Sequence, residues 1–265
     1  MTNVAKFQQK ILQWYAQHGR DLPWRNTQDP YKILVSEFML QQTQVSRVIE
    51  KYHEFLRRFP TIQTLARASH AEVIRAWLGL GYNRRAIFLH ECARAIASDF
   101  NGIIPKDHEK LLKLPGIGPY MCRSILVFAF NADVAAVDTN IRRIFIAEGF
   151  VHEKSSASDL QKIAEELLPR GHSRDWHNAL MDYGSLVLTS AGTGIKPLTR
   201  QSKFYKSFRW YRSKVVKLAA KNGAVSIEQI SRALKKDKKF IKKVLNSLKK
   251  DKLIRENQAK ITLPG

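Results

Sequence analysis

A chain of 265 residues with 44% hydrophobic content is long enough for one large domain or two smaller ones around a buried core, and this composition excludes disorder across the body. Its 45 Lys/Arg against 23 Asp/Glu give a formal charge of +22, which points to a polyanionic partner, nucleic acid first, with an anionic membrane surface as the plainer competitor. No apolar run approaches the length of a membrane span and Met1–Lys6 holds no signal-peptide core, so no membrane association is expected and the setting is cytoplasmic or nucleoid, nuclear in a eukaryote.

The elements run as a succession of helices over residues 1–200. Phe7, Ile11, Leu12 and Tyr15 share one helical face. Helices follow over 33–40 and 45–55, the latter ending before Phe59-Pro60. A short one over 71–78 stops at Gly79-Leu-Gly81, and another spans 83–98. After the loop at Gly102–Pro105, the apolar run Leu111–Leu114 and the helix Met121–Phe130 flank Leu114-Pro-Gly-Ile-Gly-Pro-Tyr120. Further helices fall near 139–149, 158–168 and 175–188. No useful strand alternation occurs, so this part is all-α. The turn-rich Gly192–Pro197 marks a domain boundary, giving domains at 1–200 and 201–265. Residues 201–265 hold 19 Lys/Arg against 4 Asp/Glu. There a basic amphipathic helix spans 204–221, and Ser226-Ile-Glu-Gln229 is a capping box opening a helix over 227–234. Phe240 to Leu248 forms another, and Leu253-Ile254 and Ile261–Leu263 read as two small strands. Helix, helix, helix, hairpin is the order of a winged helix, against the alternative of a solvated basic tail.

Gly116 and Gly118 make the Leu114–Tyr120 turn poor in side chains. Glycine tolerates positive φ and lets backbone N–H groups approach an anion, and the helix that starts there aims its dipole at the same point. Such a helix–hairpin–helix grips a DNA phosphate without reading sequence. Twenty residues after Gly118 comes Asp138, in Val137-Asp-Thr-Asn140. By itself Asp138 is as well read as a helix N-cap. Cys92 and Cys122 are isolated within helical patterns and read as inert buried thiols; with no Cys-x-x-Cys a zinc site is not expected, and a four-Cys iron–sulfur cluster cannot be built.

The hairpin with its trailing Val-Asp-x-Asn resembles the helix–hairpin–helix DNA glycosylases of the endonuclease III superfamily. Leu22-Pro-Trp24, Ser36-Glu-Phe-Met-Leu-Gln-Gln-Thr-Gln-Val45 and Gly79-Leu-Gly-Tyr82 look like the adenine DNA glycosylases, a likeness running through about the first 190 residues. The resemblance implies an all-α helix–hairpin–helix glycosylase fold, here with a small basic winged-helix-like DNA-binding module appended, acting as a monomer on double-stranded DNA that carries a mispair or lesion. It implies hydrolysis of the N-glycosidic bond of adenine opposite guanine or 8-oxoguanine. That chemistry needs an acid for the leaving base and an anion for the oxocarbenium-like sugar, on a nucleotide flipped from the stack.

The resemblance assigns the anion to Asp138, supported by Asn140, and the acid to Glu37, whose apolar neighbours should raise its pKa. Tyr120 stands where the lyase-competent branch carries a Schiff-base lysine, so a monofunctional enzyme is implied. Gln41, Gln42, Thr43 and Tyr82 are carried over as duplex contacts that fill and wedge the stack. Arg84, Arg85, Lys113, Gly116, Gly118 and Arg142 complete the expected DNA contacts. The family's four-Cys cluster would begin where Leu188 stands, and its loop is replaced by Thr189–Leu198, so no iron–sulfur cluster or other metal is expected; the hairpin is a candidate site for a monovalent cation. The family's 8-oxoguanine-recognising C-terminal domain also has no counterpart in the basic segment. The alternatives are a mismatch thymine or uracil glycosylase, which shares Tyr at the hairpin position, and a non-catalytic DNA-binding regulator.

Overall fold

Side-chain caps set many of the helix starts. In the computed structural model, which describes residues 3–198 and 202–265, the first 198 residues form α1 (Asn3–His18), α2 (Pro30–Leu40), α3 (Val45–Arg58), α4 (Ile62–Arg67), α5 (His70–Trp77), α6 (Arg84–Asp99), α7 (His108–Leu112), α8 (Pro119–Phe130), α9 (Thr139–Ala147), α10 (Ala157–Glu166), α11 (Ser173–Leu186) and α12 (Ser190–Thr193). Reciprocal capping boxes open α4 (Thr61 with Thr64), α5 (Ser69 with Glu72) and α10 (Ser156 with Asp159). Each such cap is worth about 1 kcal/mol, which lets the six-residue α4 stand although its apolar pattern is too short to be conspicuous in the sequence. No strand occurs before residue 224 among the described residues, and no helix there is long and apolar enough to cross a membrane.

The basic C-terminal stretch comprises α13 (Phe208–Asn222), β1 (Ala224–Ser226), α14 (Ile227–Leu234), α15 (Lys238–Lys250), β2 (Arg255–Asn257) and β3 (Lys260–Thr262). The three strands form an antiparallel sheet in the order β1-β3-β2, with Ile261 opposite both Val225 and Glu256. Two details depart from the sequence expectation. A helix was expected from Phe204, but α13 begins at Phe208. Lys206 takes a left-handed conformation (φ 57°), and the Ser207 side chain then accepts the Trp210 N–H as N-cap, so the preceding residues lie outside the helix. The strands differ as well: Leu253-Ile254 lies just before β2 rather than in it, only the strand expected at Ile261–Leu263 overlaps an observed one, β3, and a third strand, β1, joins them, which at three residues has too little alternation to be read from sequence. The boundary expected between residues 200 and 201 lies outside the described residues.

The chain divides into two compact units. The first comprises 1–37, 105–113 and 117–200. Its core joins Phe7 and Ile11 of α1, Ile144 and Phe145 of α9, and Trp176 and Leu180 of α11. Phe7 meets Trp176 edge-on at 5.6 Å and Phe145 at 6.3 Å between centroids. Buried Asp182 of α11 takes Arg25 in a bidentate pair at 2.7 and 2.8 Å and is bonded by Arg20 as well. The second unit comprises 38–104, 114–116 and 201–265. Here Val215, Ile230, Ile241, Val244 and Ile261 of the basic stretch share one apolar cluster with Ala71 and Ile74 of α5 and Ile87 of α6. The basic stretch is thus not a solvated tail: its helices bury a continuous core.

Candidate active site

In the first unit, α2 is apolar on nearly every side, and Ile33, Leu34 and Val35 are almost inaccessible. Glu37 on this helix is 8% exposed, and burial pushes its carboxyl from 4.5 to about 7, with the negative charge of Asp138 adding to the rise. The Ser124 hydroxyl of α8 opposes it, lying 2.6 Å from Glu37 Oε2 and 3.0 Å from the Met121 carbonyl. A hydroxyl has one hydrogen. Ser124 Oγ donates its own to Glu37 Oε2, which favours the ionised carboxylate and pulls the pKa back down, and shares it with the Met121 carbonyl as a bifurcated bond. Tyr120 lies one turn before Ser124 on α8 and packs beside Ile33 and Val127. Its phenol is pushed well above 10, first by burial and then by the charges of Glu37 and Asp138, so it stays a neutral donor.

Asp138 is the N-cap of α9: its Oδ1 accepts the Ile141 N–H at 2.8 Å. Its Oδ2 accepts from Asn140 Nδ2 at 2.9 Å, and Asn140 Oδ1 accepts from Arg143 Nη2 at 2.7 Å. The same guanidinium donates to the carbonyls of Gly184 (2.5 Å) and Leu188 (2.6 Å). A relay of Arg143, Asn140 and Asp138 thus orients the carboxylate, whose pKa is raised above the ordinary value because burial outweighs the lowering by these bonds and by the Arg143 charge. Capping and catalysis, rivals in the sequence, are compatible here: the cap holds one oxygen and the helix N-terminus favours the negative charge.

The structure brings Glu37, Tyr120, Asp138 and Asn140 into one unit and adds three residues that sequence reasoning missed: Ser124, Arg143 and Gly184. Ser124 was signalled by its spacing of four from Tyr120, and Arg143 by its spacing of three from Asn140. Gly184 carried no signal, since its role is to leave space: a Cβ there would lie 2.9 Å from the Asn140 Cβ.

At the hairpin, Gly116 has φ +80°, and a Cβ would meet Phe88 at 2.6 Å and Phe38 at 3.0 Å, so glycine is required twice over. Gly118 differs from expectation: its backbone is extended (φ −98°), not left-handed, and it serves as N-cap of α8 ahead of Pro119. No side chain caps this terminus and nothing stands within 4 Å of a Cβ at Gly118, which suits close approach of a phosphate. Lys113 is exposed at the C-cap of α7. Arg142, expected on DNA, is turned inward: it is 9% exposed and donates to the carbonyls of Glu153 and Lys196.

In the second unit, Arg85 is likewise a positioning group rather than the expected surface contact. It is 7% exposed, and its Nη1 donates to the carbonyls of Phe38, Met39 and Gln41, while Nη2 reaches Thr43 Oγ1 at 2.8 Å and the Gly81 carbonyl at 3.2 Å. One guanidinium thereby ties the Gln41–Thr43 loop to the Gly79–Tyr82 loop. Gln42 (φ 54°) and Tyr82 (φ 44°) both adopt left-handed backbones, an uncommon strain that clusters at functional loops. Arg84 is exposed over Phe88 and lies 3.5 Å from Asp251.

Residues 35–170 match the model of the HhH-GPD superfamily base excision DNA repair proteins. The chain belongs to this superfamily. It is 45% identical over 195 residues to the adenine DNA glycosylase of Mycolicibacterium smegmatis, covering 72% of this chain and 67% of that protein. It is 44% identical over 187 residues to that of Mycobacterium tuberculosis, covering 68% and 61%, and 35% identical to that of Homo sapiens, covering 71% and 37%. The chain thus spans about two thirds or less of the length of these relatives. Among solved structures it is similar to a thermostable thymine-DNA glycosylase (31% identity, TM-score 0.66, 70% of this chain and 88% of that one). Endonuclease III in a non-covalent DNA complex (17%, TM-score 0.63, 75% and 91%) shares the fold.

The iron–sulfur cluster implied by the family resemblance does not fit the residues present. Cys92 and Cys122 are both buried, one in each unit. The Leu188 carbonyl is bound by Arg143, and Thr189 caps α12 through the Gly192 N–H, with Ser190 bonding the Ile195 carbonyl. No step below runs through such a group.

Proposed function

We propose that this chain is a monofunctional DNA glycosylase of base excision repair that hydrolyses the N-glycosidic bond of adenine mispaired with guanine or 8-oxoguanine. The observation that carries this reading is the buried carboxyl of Glu37, held near half-protonation at neutral pH. A purine leaves readily only when a ring nitrogen takes up a proton, and an acid with a pKa near the working pH is the efficient donor. Asp138 faces the positive charge that grows on the sugar, and its relay from Arg143 supports a fixed carboxylate. Tyr120 completes the wall without an amine, so water rather than a lysine takes the sugar and an abasic site remains. The hairpin N-terminus of α8 holds a phosphate, Tyr82 and the Gln41–Thr43 loop support the opened stack, and a monomer without metal suffices.

The adenine-specific relatives at 44–45% identity favour a purine target. The thymine-DNA glycosylase likeness at 31% supports the second reading, excision of a mispaired pyrimidine. A panel of duplexes carrying A:G, A:8-oxoguanine, G:T and G:U decides between them, each incubated and then split between alkaline cleavage at abasic sites and no alkali. Strand breaks confined to the adenine duplexes, and appearing only after alkali, are the expected result. Breaks at G:T or G:U alone would overturn the adenine reading, and breaks without alkali would overturn the monofunctional one.

A further inference from the structure

The second unit contains an open cavity of about 1030 Å³, at the upper end of the range of ligand pockets (about 300–1,000 Å³). Its lining comes from segments far apart in sequence. The loops carrying Gln41, Gln42 and Tyr82 form one part, and the basic stretch contributes Phe204, Arg209 and Arg212. Five arginines line it against one carboxylate, Asp251, which is itself paired with Arg212 and close to Arg84. The chemistry asks for an anionic ligand with a flat, polar-edged body.

Arg209 is the central group. Its guanidinium lies over the Tyr82 ring, 5.0 Å from the centroid, and donates to Tyr82 Oη and, at 2.9 Å, to the Ser202 carbonyl. These bonds use one hydrogen on each terminal nitrogen, and each carries a second. Buried Arg85 lies 5.6 Å from the same ring centroid. Phe204, 52% exposed, adds an apolar face. A planar donor fork anchored on an aromatic ring, beside the amides of Gln41 and Gln42, suits the edge of a purine: guanine presents O6 and N7 to such a fork.

Flipping a target base leaves its partner on the other strand without a pair. The groups assigned to bond cleavage belong to the first unit, while this cavity is lined wholly by the second. We propose that Arg209 of the appended module is a specificity-determining residue, which in this cavity favours a guanine-type purine as the nucleotide opposite the target base. This rests on the glycosylase reading above. It gives the basic module a share in specificity beyond the affinity its charge supplies.

The test uses the full chain and duplexes with a tetrahydrofuran abasic analogue opposite guanine, 8-oxoguanine, cytosine or thymine. This analogue holds no base to excise, so binding is read without turnover. Wild-type protein should bind the two purine duplexes about tenfold more tightly than the pyrimidine ones, the scale of a good bidentate arginine contact. Arg209→Ala should bring all four affinities within about twofold of one another, mostly by weakening the purine complexes. Arg209→Lys, which keeps the charge and loses the fork, should do the same. Thermal melting of both variants at the wild-type temperature shows that the fold survives. Equal loss on all four duplexes, full rescue by lysine, unchanged ratios, or a wild type without preference would each overturn the proposal, the first two by reducing Arg209 to a phosphate contact. Failure of the adenine reading is separate: it would appear as no adenine release from any duplex, with the binding series unaffected.

Discussion

Replacing Glu37 by Gln should produce a protein that is more stable at alkaline pH and inactive at every pH. In the folded chain burial carries this carboxyl from 4.5 to about 7. Because the folded value is raised, the stability linked to its protonation is fully present below about 4.5 and is lost as the pH climbs through about 7. At 1.36 kcal/mol per pKa unit, forcing the buried carboxyl to ionise costs the wild type about 3 kcal/mol at most. The amide never ionises, is almost isosteric, and its oxygen can accept from Ser124. The two proteins should therefore melt together at about pH 4, diverge between about 4.5 and 7, and stay a constant distance apart above that, the variant higher by roughly 6–12 °C, at about 2–4 °C per kcal/mol for a chain of this size. Scanning fluorimetry from about pH 4 to about pH 9 reads this directly, and single-turnover base release on an adenine mispair reads the other half. Loss of the acid should abolish release while duplex binding stays near wild type. A melting difference that is flat across the range would show that Glu37 does not titrate there, and near-normal release would remove it from the mechanism.

Asp138→Asn should eliminate single-turnover activity with at most about 1 kcal/mol lost in denaturant unfolding, since Asn also caps well; unchanged turnover would leave Asp138 as a cap only. Gly184→Ala drives a methyl to 2.9 Å from the Asn140 Cβ, so it should slow release through the displaced relay. It should also cost about 1–3 kcal/mol of overpacking, partly offset by about 1 kcal/mol of helix propensity; a stabilised, fully active variant would show that α9 yields freely. Neutralising Lys239, Lys242 and Lys243, all exposed on α15, to Gln should flatten the dependence of log K on log salt by about 0.9 for each phosphate contact removed. A slope that does not move would place DNA elsewhere. Deleting the whole basic stretch is a poorer experiment, because its core includes Ala71, Ile74 and Ile87.

Much of the helical layout was legible because it rests on local signals. The capping box Ser226–Gln229 opens α14 where the residues said it would, and the 3.6-residue spacing of Phe7, Ile11 and Tyr15 falls on α1. α4 and β1 escaped because six and three residues carry too little periodicity. The arginines were the weakest point. Arg84, Arg85 and Arg142 were all expected on DNA, yet Arg85 and Arg142 are spent on backbone carbonyls. Whether a guanidinium faces solvent or closes a loop depends on which carbonyls the fold leaves unpaired. No pattern along the chain records that.

The same limit explains why the candidate site was half visible. Glu37, Tyr120, Asp138 and Asn140 were nominated by the resemblance of their motifs to the glycosylases, since by itself Asp138 reads equally well as a helix cap. What tunes them is supplied by packing. The proton on Glu37 is held by the apolar shell of α2, against the pull of one serine hydroxyl from another helix that stabilises the carboxylate. The orientation of Asp138 depends on an arginine that is itself fixed by two carbonyls of α11 and the turn after it. In this chain the segment after α11, from Leu188 to Ile195, closes with a threonine cap and a serine bond rather than with thiolates, and the Leu188 carbonyl still anchors Arg143. Whatever holds that segment in place thus holds the carboxylate too. A chain that lacks thiolates here can keep an ordered anion provided the polar bonds of Thr189 and Ser190 maintain the turn.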